Sequence, residues 1–301
     1  MSAFRRTAES PAKAEHYVLH RNENRSNDLD MTREEFEIIE QGAGAPLVLI
    51  PGIQGRWEYS RAVVEALAQF YRVITFSLAD ERGAGRAGAP TIDVFADQVE
   101  MALDRLRSGA ASIVGVSFGG LVALRFAATR PARTTALAMI SAPGPLWRLR
   151  PRHDVYARMP WLFGPAFLAE SPWRLRREVM AALPEWPARR RYLLEQLRTI
   201  VTAPVSLGRM AARARLIASY DRVADCAAVT SPSLVVVGDE ALDHVTGSGG
   251  TAEYARLIPH ARLERMPRTG HLGSVTRAAD CAELVHRFLV DANKDSHHSA
   301  A

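Results

Sequence analysis

The sequence predicts an α/β fold, a mostly parallel sheet with helices on both faces, and three observations carry that prediction. Short all-apolar runs, Leu47 to Ile50, Ala111 to Val116, Ala136 to Ile140 and Leu234 to Val237, read as strands buried on both faces. Segments of helical periodicity alternate with them along the chain, the pattern of a parallel sheet built from crossover connections. The 301 residues are 48% hydrophobic and 24% charged, globular values that exclude collagenous and low-complexity classes and suffice for a large core.

Each element has its own justification. Residues 35–41 (EFEIIEQ) alternate apolar and polar, as a half-buried strand does, and Gly42 and Gly44 turn the chain. The run 47–50 ends at Pro51-Gly52. Residues 58–70 have helical periodicity, 72–76 (RVITF) are the next strand, and 91–107 form a helix with Thr91 at its N-cap. Strand 111–116 leads into a helix over 118–130, stopped by Pro131. Strand 136–140 ends in Ser141-Ala142-Pro143-Gly144. After a long interruption come strand 234–237, helix 250–257, strand 262–266 and helix 275–290. Asp80-Glu81-Arg82 and the glycine-rich stretch from Gly83 to Gly88 read as a mobile loop rather than a nucleotide motif, because no helix begins there.

The interruption is a compositional unit. Residues 145–225 hold 15 arginines against 7 carboxylates, a local net of +8 in a chain of net +5, and four of the five tryptophans. Its pattern is helical, broken by Pro160, Pro165, Pro172, Pro184, Pro187 and Pro204, and it reads as a helical cap inserted between two strands. The expected organisation is a polar N-terminal arm over 1–33, a core over 34–144 and 226–292, the cap over 145–225, and a polar tail over 293–301. Arginine outnumbers lysine 36 to 2, a bias of the coding sequence rather than a sign of nucleic-acid binding. The cap arginines read either as a solvated helix face or as a surface for an anionic substrate, and its tryptophans as pocket lining or as packing between cap helices. Cys226 and Cys281 are too few for a disulfide scaffold and read as buried small hydrophobes. No stretch reaches the ~20 apolar residues of a membrane span, so stable membrane insertion is not expected. No apolar run follows Arg5 and Arg6, so no signal peptide is read, and a cytoplasmic location is the expectation.

The chemistry-bearing motif is Gly115-Val116-Ser117-Phe118-Gly119-Gly120. It follows the strand ASIVGV and opens a helix, the context a G-x-S-x-G nucleophile elbow requires. So tight a turn strains the serine backbone and excludes neighbouring side chains, lifting the Ser117 hydroxyl to a helix N-terminus where N–H groups favour developing negative charge. A serine needs a base and a carboxylate to orient it. His271, in Arg268-Thr269-Gly270-His271-Leu272, follows the last strand and is the candidate base. His244 reads as a solvated loop residue. The acid belongs at the end of strand LVVVG, where Asp243 is preferred because it sits far enough into the loop to reach His271, with Asp239 and Glu240 as alternatives.

With the elbow GVSFGG, the strand–loop VVVGDEALDHV and the terminal RTGH in the order Ser117, Asp243, His271, the chain over residues 35–290 resembles the α/β-hydrolase superfamily. The resemblance implies an eight-stranded, mostly parallel sheet, a Ser-Asp-His triad and a cap after the sixth strand. Many members carry the acid three residues after the strand-end glycine; that place is Ala241 here, and a longer turn delivers Asp243. The oxyanion hole implied is the N–H of Phe118 and that of Ile53, in a loop that reads Pro-Gly where the family usually has His-Gly. Gln54, Trp57, Trp147 and Trp161 are candidates for the substrate pocket. The implied activity is hydrolysis of an ester or related acyl bond of a small molecule through an acyl-enzyme, without metal or cofactor. The same apparatus in relatives serves amide or carbon–carbon hydrolysis, perhydrolysis and acyl transfer. A ligand-binding or slow-turnover sensor on the same scaffold is the alternative of a different class.

Overall fold

In the computed structural model, residues 15–17, 37–79 and 91–299 are described. The rest of the expected N-terminal arm and the loop from Asp80 to Gly88 lie outside them. Strands β1 (Glu15–Tyr17), β2 (Ile38–Gln41), β3 (Pro46–Ile50), β4 (Arg72–Phe76), β5 (Ala111–Val116), β6 (Thr134–Ile140), β7 (Ser233–Val237) and β8 (Arg262–Arg265) form one eight-stranded sheet in the order β1-β2-β4-β3-β5-β6-β7-β8. From β4 to β8 every neighbouring pair is parallel, and β2 runs antiparallel to both β1 and β4. All parallel strands therefore deliver their C-terminal ends to one edge, with β3, β5 and β6 at the centre.

Period-two alternation splits the strand side chains between two cores. Val48, Ile50, Ile113, Leu137 and Met139 face helices α2 (Ile92–Arg105) and α3 (Phe118–Thr129), where Phe95, Val99, Leu121 and Phe126 are fully buried. Leu47, Leu49, Val114, Ala138 and Ile140 face helices α1 (Arg61–Leu67) and α12 (Ala278–Ser299), through Val63, Val64, Leu67, Val285 and Phe288. Burial on both faces is why these strands are continuous apolar runs. Edge strand β8 differs: all four of its residues are exposed, and Arg262, Glu264 and Arg265 supply charges that discourage pairing with another chain. Helix α12 continues through Ser299, over most of the stretch expected as a tail. Cys226 and Cys281 are buried free thiols, both pushed up to about 12 by burial and so unreactive.

Between β6 and β7 lie α4 (Pro151–Arg158), α5 (Pro160–Ala182), α6 (Trp186–Thr202), α7 (Leu207–Ser219) and α8 (Val223–Ala228), and between β7 and α12 come the short α9 (Ser248–Ala252), α10 (Tyr254–Leu257) and α11 (Gly273–Thr276). The prolines divide in role. Pro160 and Pro187 occupy first-turn positions, which need no N–H donor, whereas Pro165 and Pro172 lie inside α5 and do not break it. Among the described residues, no helix is long and apolar enough to cross a membrane. The insertion is tied to the core by Arg222, which is 1% exposed and donates to the carbonyls of Pro145, Trp147 and Ile217 at 3.1, 3.2 and 2.9 Å. One guanidinium thus joins the chain entering the insertion to the chain leaving it. Arg125 adds a second tie, with ion pairs to Asp93 of α2 at 2.7 Å and to the buried Asp225 of α8 at 2.8 Å.

Candidate active site

Ser117 follows β5 directly and caps α3 with φ 54° and ψ −118°, a region an L-residue rarely occupies. Its own backbone N–H donates to the Ile140 carbonyl at 2.8 Å, and its carbonyl accepts from Gly120 N–H at 2.9 Å. The flanking glycines make the turn possible by close approach. A Cβ on Gly115 would lie 2.1 Å from the Gly119 oxygen, and one on Gly119 would lie 2.3 Å from the Ile50 oxygen. Gly52, in the loop after β3, packs against the Ser117 Cβ, which brings the Pro51–Gly55 turn to the nucleophile. That turn is closed by Gly55 N–H donating to the Gly52 carbonyl at 2.9 Å. The Phe118 N–H begins α3 and has no intrahelical acceptor, while its ring is buried edge-on against Phe95 with centroids 5.2 Å apart.

Of the three carboxylates after β7, the structure separates Asp243 from the other two. Asp239 is spent on the turn: its Oδ2 accepts from Arg268 N–H at 2.7 Å and its carbonyl from Leu242 and Asp243 N–H. Glu240 is exposed. Asp243 is 6% exposed and accepts from Val245 N–H and Thr246 N–H at 3.0 Å each, and from the Thr246 hydroxyl at 2.9 Å. Burial pushes its carboxyl up, but facing His271 and these donors outweigh that and hold it below the ordinary range. The loops carrying Asp243 and His271 are in contact, since Gly270 lies against the backbone of Leu242 and Asp243.

Asp243 and His271 are joined through a third group. The Thr246 hydroxyl donates to Asp243 Oδ2 at 2.9 Å and lies 3.1 Å from His271 Nδ1. With its hydrogen on the carboxylate, the hydroxyl oxygen accepts from Nδ1–H, leaving the Nε2 lone pair for a proton. Burial lowers the imidazole's affinity for a proton, Asp243 raises it, and the balance lies below the ordinary histidine value. At neutral pH the ring is thus neutral, the state a general base requires.

Two residues from the insertion support these loops from outside. Glu178 of α5 is fully buried, and its Oε1 accepts from Gly270 N–H at 2.6 Å and Leu272 N–H at 2.5 Å, the amides on either side of His271. Burial pushes its carboxyl up to about 7, against the pull of those amides. Arg213 of α7, 1% exposed, donates from Nη1 to the Ile53 carbonyl at 3.0 Å and so fixes the turn beside Ser117. Sequence reasoning missed Thr246, Glu178 and Arg213. Thr246 carried a signal, a hydroxyl three residues after a loop aspartate, the spacing of a side-chain cap. Glu178 is the one carboxylate in the run Arg174 to Met180, and Arg213 is one arginine among many.

The pocket candidates scatter. Gln54 Oε1 lies beside Gly52. Trp57 is buried in a 3-10 turn with Arg61 stacked 4.8 Å over its ring. Trp147 is half-buried, and its indole N–H donates to the Val245 carbonyl at 3.4 Å, bracing the loop that carries Asp243. Trp161 is 76% exposed, and Trp173 and Trp186 are 71% and 62% exposed. The last three neither line a buried pocket nor glue the helices together, because they stand on the outer faces of α5 and α6.

A strained serine at the end of a central parallel strand, with a histidine and a carboxylate loop at the same sheet edge, defines a hydrolase class of protein. The chain belongs to the alpha/beta hydrolase fold family, whose model matches residues 45–278. It is similar to the pimeloyl-[acyl-carrier protein] methyl ester esterase of Xanthomonas campestris pv. campestris, 30% identical over 258 residues, or 82% of this chain and 96% of that one. It is also similar to the 2-hydroxymuconate semialdehyde hydrolase of Pseudomonas sp. (strain CF600), 27% identical over 84% of this chain and 90% of that one. A solved thermophilic esterase from Thermogutta terrifontis, with malate bound, shares the fold with a TM-score of 0.68 at 22% identity, over 93% of this chain and 99% of that one. Membership of this family makes the chain an enzyme of hydrolytic class.

Proposed function

We propose that this enzyme is a serine hydrolase that cleaves an ester or related acyl bond of a small molecule through an acyl-enzyme. The observation that carries the reading is the backbone of Ser117, strained at φ 54° and ψ −118° at the start of α3. In the reaction, His271 Nε2 takes the Ser117 proton as Oγ attacks the carbonyl carbon. The Ile53 and Phe118 N–H groups receive the oxyanion, and the imidazolium is stabilised by Asp243 through the Thr246 hydroxyl. Collapse expels the leaving group with the proton from His271. Water, deprotonated by the same nitrogen, then attacks the acyl-serine and releases the acid. Ester chemistry is favoured because the relative 30% identical over most of both chains bears the name methyl ester esterase.

Hydrolysis of a chain-length series of p-nitrophenyl esters tests the reading, with Ser117→Ala as control. Sustained turnover that vanishes in the variant supports it. A burst equal to the protein concentration followed by silence points to the sensor, and equal activity in both proteins removes Ser117 as nucleophile.

A further inference from the structure

On the outer surface, an open depression of about 300 Å³ is lined by Arg150, Arg152, Trp173, Arg174, Arg176, Arg177 and His244. Three parts of the chain build it: the start of α4, the second half of α5, and the loop just after Asp243. Five guanidinium groups therefore share one concave surface. Only Arg152 has a carboxylate partner among the described residues, Glu170 at 3.6 Å, and Arg150, Arg174, Arg176 and Arg177 have none.

The clustering is costly. Burial lowers the proton affinity of Arg174, and Arg152 and Arg150 lower it further against the pull of Glu170. Its Nε–H is buried with no hydrogen-bond partner. Behind it His153 is pushed below the ordinary histidine value by burial and by Arg152, Arg174 and Arg150, and its Nε2 lies 3.2 Å from Arg152 Nε and 3.4 Å from Arg174 Nη1. A neutral ring thus props two cations without neutralising either. Arg176 lies 3.4 Å over the Trp173 ring, a cation–π contact that leaves it without a carboxylate partner. Arg150 is pre-positioned by a backbone carbonyl, Arg174 by an imidazole and the Ser171 hydroxyl, and Arg176 by a ring, while Arg152 alone has an anion beside it.

We propose that this depression binds a group of two or more linked phosphates on a small organic molecule, a ligand of the nucleoside diphosphate class. Guanidinium forks match phosphate oxygens two at a time, and one phosphate of charge −2 would leave most of this cluster unpaired. The depression adjoins the candidate active site through its wall: Arg150 Nη2 donates to the His244 carbonyl at 3.4 Å, and His244 follows Asp243. A diphosphate anchored here holds the remainder of its molecule at the junction of insertion and sheet edge.

The test reads binding rather than turnover, so it stands apart from the hydrolase reading. Calorimetric titration of the full chain with inorganic pyrophosphate and with ADP, at about 50 mM and then about 200 mM salt, is expected to show one saturable site that weakens with salt. The exposed pair Arg150→Gln/Arg177→Gln is expected to raise Kd about tenfold or more, as loss of charge-assisted bonds would. Arg190→Gln/Arg198→Gln on α6 removes the same charge outside the depression and is expected to change Kd less than about twofold. Arg176→Gln serves should the first pair misfold by circular dichroism. The proposal is overturned by absence of pyrophosphate binding at low salt, by equal weakening in both double variants, or by binding to phosphatidylglycerol vesicles without binding to pyrophosphate or ADP.

Discussion

Ser117 pays for its position with backbone strain, on the order of 1–3 kcal/mol for a residue at such φ and ψ. Ser117→Ala keeps that backbone and removes only the hydroxyl. The variant is expected to lose about 10⁴-fold or more in kcat while melting within about 2 °C of the parent, read by ester hydrolysis and thermal unfolding. Thr246 carries the next prediction. Thr246→Val keeps the branched shape and removes the bridge between Asp243 and His271, so kcat should fall about tenfold or more, and Thr246→Ser should recover most of it. A valine variant with unchanged kcat would show that the carboxylate reaches the imidazole without the hydroxyl. Because burial disfavours the charged form of His271, the acid limb of kcat/KM should have its midpoint below about 6.5, with activity rising as pH increases through it.

At the scale of elements, the elbow makes a paired prediction. Gly119→Ala drives a methyl group into the Ile50 and Pro51 carbonyls and should cost about 2–3 kcal/mol in chemical denaturation, whereas Gly109→Ala, which meets open space, should be near neutral. Much of this architecture was legible in the sequence. Strands 72–76 and 111–116 fall where the sequence places them, because Val73, Ile74 and Phe76 and Ile113, Val114 and Val116 are apolar and buried. The helix expected over 58–70 is a 3-10 turn at Trp57–Ser60 followed by α1, a division that periodicity cannot resolve. In the insertion, α5 runs through Pro165 and Pro172, where local propensity argues for a break. Ser117 was legible because strain leaves glycines in the sequence. Glu178 was not, because a residue that acts on amides 92 and 94 positions away leaves no local pattern.

Across the whole molecule, Glu178 links the insertion's stability to pH. A glutamate that titrates near 4.5 when unfolded and near 7 when folded holds its proton more tightly in the folded state, so its burial destabilises the fold progressively as pH rises from about 4.5 to about 7. The shift corresponds to on the order of 3 kcal/mol. Glu178→Gln, whose amide oxygen still accepts from Gly270 and Leu272, should match the parent near pH 4.5 and exceed it at pH 8 in urea unfolding. A parent that gains on the variant as pH rises would reverse the assignment.

The buried knot at Arg222 has an implication for how such a protein diversifies. Entry and exit of the insertion meet at one guanidinium, so the gap between them is set by the core and stays constant whatever lies between. The residues from Arg148 to Leu216 behave as a plug in a fixed socket. Apart from Glu178 and Arg213, changes in its length or sequence are expected to leave the register of β6 against β7 unshifted. Laboratory libraries aimed at new substrates can therefore vary the plug while sparing Pro145, Trp147, Ile217 and Arg222 at the knot and Glu178 and Arg213, which brace the His271 and Ile53 loops.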